Sequence, residues 1–116
     1  MPYIGTRVST KISKEQEIVL KERLGKIIGL FPGKSERWLM LDFEDSCRLW
    51  MGGDNSMPMA YVEVKVFGTI DSAAAQNVTE AICALLEEVL GIEPSHTYVK
   101  YGCCDTWGWN KSNFRS

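Results

Sequence analysis

The feature that most restricts what this chain can fold into is a pattern used twice: strand, helix, strand, and then the same again. Residues Pro2 to Val8 read as a strand that gives way to Ser9-Thr10. Ser13 stands at an N-cap position with Gln16 three residues on, the spacing of a capping box. Leu20, Leu24, Ile27 and Ile28 then recur along one face of a helix, which Gly29 and Pro32-Gly33 stop. A second strand is predicted from about Arg37 to Glu44. The later half keeps this order. Ala60 to Phe67 is a strand, and Asp71-Ser72 caps a helix whose apolar stripe is Val78, Ile82, Leu85, Leu86 and Val89. Gly91 followed by Pro94 ends that helix, and Thr97 to Tyr101 is the last main strand.

Joining two parallel strands through a helix requires a right-handed crossover. Two such units imply an α+β sandwich: two β-α-β repeats in a four-stranded mixed sheet, with both helices on one face. Strand alternation says which face. Ile4, Thr6 and Val8 oppose Tyr3, Gly5 and Arg7, while Val62, Val64 and Val66 oppose Tyr61, Glu63, Lys65 and Phe67. Leu39, Leu41 and Phe43 likewise oppose Trp38, Met40, Asp42 and Glu44. The aliphatic face suits two packed helices. The other mixes aromatic rings with charges of both signs, and suits water or a subunit interface. Cys47 to Met51 and Trp107 to Trp109 read as short extra strands that pair with a neighbouring subunit's sheet edge.

A chain of 116 residues fits one domain, residues 1–116, and buries roughly two thirds of its unfolded surface. Thirteen basic against fifteen acidic residues leave a net charge of −2, with no basic run and no long apolar stretch. Neither nucleic acid nor membrane is therefore an expected partner. The start of the chain lacks a signal-peptide pattern, so cytoplasmic synthesis is expected. Cys47, Cys83, Cys103 and Cys104 follow neither a disulfide framework nor zinc spacing, and no metal is expected. Cys83 falls within the apolar helix pattern and reads as a buried structural thiol.

Candidate chemistry starts at Met1-Pro2. A general base needs a pKa near working pH and a reachable lone pair. His96 is the one histidine, in a Pro-Ser-His-Thr loop that reads as surface. The other group that titrates near neutrality is an N-terminal amine, at about 7.7–8.0. Initiator methionine is generally removed before proline, which would expose Pro2 as a secondary amine in a fixed ring. Burial and a nearby cation would both lower its pKa. The loop leaving the first helix returns beside the strand starts, so Lys34 can lie close to Pro2, attract a substrate carboxylate and depress the amine.

Beyond Pro2 and Gly33-Lys34 the pattern continues through Gly52-Gly53, Phe67-Gly68-Thr69-Ile70, Ala75-Gln76-Asn77 and Leu85-Leu86-Glu87-Glu88. It closes on Tyr98-Val99, Gly108-Trp109-Asn110 and Ser112-Asn113-Phe114. On these residues, over essentially its whole length, the chain resembles macrophage migration inhibitory factor and D-dopachrome tautomerase, of the tautomerase superfamily. The resemblance implies a single tautomerase domain, a homotrimer around a central channel, and three sites at subunit boundaries. It implies Pro2 as catalytic base without a cofactor, acting on an aryl α-keto acid such as phenylpyruvate or a dopachrome-type substrate. It further implies Lys34 and the Phe67 backbone as carboxylate binders, Tyr98 and Lys100 from a neighbouring subunit, and an aromatic wall of Trp107, Trp109 and Phe114. The family often has asparagine at Lys100 and an aliphatic residue at Phe67. Met59 and Val62 stand where the animal cytokine has its Cys-x-x-Cys, so thiol oxidoreduction is not expected. The alternatives are a cytokine-like protein, secreted without a signal peptide and binding a cell-surface receptor, and a trimeric scaffold with an unused cleft.

Overall fold

The computed structural model describes residues 1–115. Its main sheet holds β1 (Pro2–Val8), β2 (Met40–Glu44), β3 (Ala60–Phe67) and β4 (Thr97–Cys104), ordered β2-β1-β3-β4. β1 runs parallel to β2 and β3 parallel to β4, while β1 and β3 meet antiparallel at the centre. Each repeat is thus a parallel pair, and the two repeats point in opposite directions. Two helices, α1 (Lys14–Ile27) and α2 (Ser72–Leu90), supply the crossovers. No helix among the described residues is long and apolar enough to cross a membrane.

Both helices begin where their caps predict. Ser13 Oγ accepts from the Gln16 N–H while Gln16 Oε1 accepts from the Ser13 N–H, a complete capping box. Asp71 Oδ2 accepts from the Ala74 N–H at 2.8 Å. α2 ends on Gly91, whose φ of 69° is the left-handed value that lets its N–H turn back onto the Glu87 carbonyl. Leu20 and Leu24 of α1 pack with Val78, Ile82, Leu85 and Leu86 of α2 over Ile4, Val8, Val62, Val64 and Val66 of the sheet. Each such side chain, fully buried, contributes roughly 1.5–3 kcal/mol.

The opposite face is polar. Tyr3 Oη donates to Asp42 at 3.0 Å, Arg7 pairs with Glu44 at 3.2 Å, and Lys65 pairs with Glu63 at 3.0 Å. Gly5 belongs to this face because a Cβ there would meet the Tyr3 hydroxyl at 2.6 Å; the missing side chain lets the tyrosine lie along its own strand.

The predicted second strand starts later than expected. Glu36–Trp38 forms a single 3-10 turn, and strand pairing begins only at Met40. The first helix also tightens into a 3-10 turn over Ile28–Leu30 before Gly33. Cys47 to Met51 forms no strand and carries one isolated bridge, Met51 to Asp54. Trp107 to Trp109 finds its partner in the chain itself: β5 (Thr106–Trp109) pairs with β6 (Ser112–Arg115) as a hairpin. Cys83 is half-buried rather than buried, and burial together with Glu87 raises its thiol pKa.

Leu85→Ala is expected to cost about 2–5 kcal/mol by emptying the centre of the core. Ile18→Ala, on a side chain 55% exposed, should stay within about 0.5 kcal/mol. Urea unfolding of both variants checks the pair; equal losses would mean the core is not organised around α2.

Candidate functional site

Pro2 opens β1 opposite Val66, so the chain's first residues lie beside the end of β3. The backbone of Phe67 ties two elements together there. Its N–H donates to the Met1 carbonyl at 3.3 Å, and its carbonyl accepts from Lys34 Nζ at 2.8 Å. Lys34 reaches that point because the loop after α1 turns through Gly33, at φ 76°, and closes with the Lys34 N–H on the Phe31 carbonyl. Burial first, and the positive charge of Lys34 second, lower the pKa of the N-terminal amine, here that of Met1.

Met1 and Pro2 form one end of a cleft of about 500 Å³. Arg37, Trp38 and Met40 line it from the segment entering β2, and Trp107 and Trp109 from the hairpin. The hairpin turns on Asn110 and Lys111, both at positive φ, 51° and 66°. Two such residues make a type I′ turn, whose twist matches that of the flanking strands. Trp107, Trp109 and Phe114 consequently share one hairpin face, with Trp107 opposite Phe114. Trp109 is the hub: its ring meets Trp38 edge-on at 5.1 Å and Phe114 at 6.3 Å. A hollow of similar size, about 530 Å³, opens beside Ser9 and Trp50 at the other end of β1 and contains neither Pro2 nor Lys34.

Of the residues singled out in the sequence, Pro2, Lys34, Phe67, Trp107, Trp109 and Phe114 gather at this end of the sheet. Lys34 borders a different hollow, of about 150 Å³, with Phe31 and Asp71, and the Phe114 ring stands 6.3 Å from that of Trp109. Tyr98 and Lys100 are elsewhere. The register aligns Pro2 with Val66 and Cys103, so Tyr98 lies five residues along β4, about 16 Å away at 3.3 Å per residue. Tyr98 is 62% exposed. Lys100 faces Glu63 across the polar sheet face, where it helps hold that carboxyl low, behind the larger effects of Lys65 and Tyr61. One chain does not bring these two residues to the cleft. Sequence reasoning missed Arg37, Trp38 and Met40, because an alternating strand was drawn through them. The adjacent Arg-Trp pair after Ser35-Glu36 was the available signal of a local turn.

The sequence matches the family model described as macrophage migration inhibitory factor over residues 1–114. In structure the chain is similar to MIF2 of Leishmania major, with a TM-score of 0.90 and 30% identity over 98% of this chain and 97% of that one. It is also similar to the macrophage migration inhibitory factor homologue of Prochlorococcus marinus, with a TM-score of 0.79 and 28% identity over 97% and 98%. Pt0534, solved after inactivation by 2-oxo-3-pentynoate, shares the fold alone, at a TM-score of 0.82 and 14% identity over 97% and 94%. No curated protein sequence matches the chain.

Lys34→Met is expected to return the N-terminal amine part of the way to the ordinary value of about 8, since burial remains. Chemical-shift titration of an isotopically labelled first residue measures this. An unmoved titration would mean that the ammonium does not act on the chain terminus.

Proposed function

The chain belongs to the macrophage migration inhibitory factor family, and from that premise we propose that it is a keto–enol tautomerase with Pro2 as general base. Its substrate is an aryl 2-oxo acid of the phenylpyruvate or dopachrome type. The observation that carries the reading is the Phe67 backbone, whose carbonyl holds Lys34 Nζ at 2.8 Å and whose N–H holds the chain's first carbonyl at 3.3 Å.

Removal of Met1 has two effects at once. It turns the Pro2 nitrogen into a secondary amine, and it takes away the carbonyl to which the Phe67 N–H donates. That N–H is then free to donate to a substrate carboxylate. Lys34 keeps one N–H on the Phe67 carbonyl and has two more to offer the same carboxylate. Carboxylate and amine are thereby held in fixed relation, which is where catalysis by positioning originates.

In the reaction the uncharged Pro2 nitrogen takes a proton from the carbon beside the keto group. The C–H electron pair becomes the new C=C bond, and the carbonyl π electrons move to oxygen. The protonated amine returns a proton to that oxygen, directly or through water, giving the enol and regenerating the base. Burial and the Lys34 charge, which lower the pKa of the Met1 amine, are expected to act in the same direction on the Pro2 nitrogen once it is the terminus, favouring the neutral base. Trp107 and Trp109 supply an apolar wall for the aryl group. Tyr98 and Lys100 come from a neighbouring copy in a trimer, the arrangement their distance from Pro2 in one chain requires if they act at this cleft.

With the free N-terminus verified by intact mass, Pro2→Gly is expected to lower kcat/KM for phenylpyruvate by about 10²–10⁴-fold. Sedimentation should still give three times the mass of one chain. Absence of turnover by the wild-type protein with Pro2 exposed would end the tautomerase reading.

The pH profile is a separate check. The base acts unprotonated, and if burial and Lys34 lower the Pro2 amine as they lower that of Met1, kcat/KM should rise with pH through an apparent pKa below about 8 and then level off. A limb at or above that value would mean an unperturbed amine.

A further inference from the structure

The Pro2 cleft contains a cation that the mechanism above does not use. Arg37 lines it together with Pro2, and among the described lining residues no other side chain carries a permanent charge. Its guanidinium carbon stands 5.1 Å from the centre of the Trp38 ring, and Trp38 is itself set edge-on against Trp109 at 5.1 Å. The ring lies to one side of the guanidinium, and the Arg37 side chain is exposed. Arg7 and Arg23 are paired with Glu44 and Glu88, whereas Arg37 makes no ion pair among the described residues. Its sequence neighbour Glu36 is turned instead onto Gly25 of α1.

We propose, on the premise that the Pro2 cleft binds a 2-oxo acid, that Arg37 is a specificity residue receiving a second anionic group at the far end of the substrate. The preferred substrate class is then an aryl 2-oxo acid carrying a further carboxylate, rather than phenylpyruvate itself.

The two cations occupy different parts of the site. Lys34 is tied to the Phe67 carbonyl and borders a hollow with Phe31 and Asp71, whereas Arg37 lines the cleft with Pro2, Trp107 and Trp109. Aromatic surface from Trp38, Trp107 and Trp109 lines the cleft beside Arg37. A planar, five-donor fork held on a ring suits a carboxylate bound through two parallel hydrogen bonds. A monoanionic aryl acid uses the Lys34 end and the ring wall and leaves that fork unoccupied. A dianion uses both ends.

The test compares 4-carboxyphenylpyruvate with phenylpyruvate on processed wild-type protein, Arg37→Gln and Arg37→Lys. Two ratios are read: kcat/KM in turnover, and Kd by quenching of tryptophan fluorescence. Wild type should favour the dicarboxylate by about tenfold in both, the factor that 1.4 kcal/mol brings. Arg37→Gln should bring both ratios to about one. Arg37→Lys, with charge but no fork, should fall between, and added salt should shrink the wild-type preference. Equal affinity for the two acids in wild type, or a preference that survives Arg37→Gln, would overturn the assignment. Because binding is measured apart from turnover, a protein that binds the dicarboxylate through Arg37 yet turns over neither acid would refute Pro2 catalysis and leave the Arg37 site standing.

Discussion

The backbone of one residue, Phe67, holds the candidate site together. It closes the end of β3, accepts the Lys34 ammonium on its carbonyl side and meets the start of β1 on its N–H side. Backbone is a good choice for this task. A side chain would have rotamers to lose, whereas a strand peptide is already fixed by the ladder on either side of it. The ammonium also stays accessible, since a carbonyl satisfies one of its donors without neutralising it. A carboxylate in the same place would have cancelled the field that acts on the terminal amine.

That junction exists because the two repeats are antiparallel to each other. In the first, the loop leaving α1 returns to the end of the sheet where β1 starts and β3 finishes, which brings Gly33-Lys34 to Pro2 and Phe67. In the second, the loop leaving α2 returns to the opposite end, where His96 and Tyr98 meet Tyr61 and Trp50 around a smaller hollow. The molecule thus has two similar corners about one strand length apart, and only the first has the chain terminus.

Much of this was legible in the sequence because it rests on local chemistry. Ser13 with Gln16, Asp71 and Gly91 mark helix ends through hydrogen bonds that span three or four residues, and the alternation of β3 shows its buried face directly. The nearness of Lys34 to Pro2 followed from crossover geometry alone. The segment before β2 was not legible: a period-two pattern from Trp38 to Glu44 reads the same whether its first residues extend or curl into a 3-10 turn, and tertiary packing of Trp38 on Trp109 decides. The same contact brings Arg37 to the cleft. The hairpin partner of Trp107 to Trp109 was missed for a related reason, since Asn110-Lys111 lacks the glycine by which type I′ turns are usually recognised.

That glycine-free turn has a consequence for how the aromatic wall is maintained. Each L-residue held in the left-handed region costs roughly 1–2 kcal/mol, less where an asparagine side chain helps. The loop between β5 and β6 thus stores backbone strain that the stacking of Trp38, Trp109 and Phe114 must offset. The turn holds the strand register that sets Trp107, Trp109 and Phe114 on one face, so the rings and the turn depend on each other for the shape of the cleft. A hydrophobic guest lying against Trp109 would add to the ring contacts and stiffen the loop without touching it.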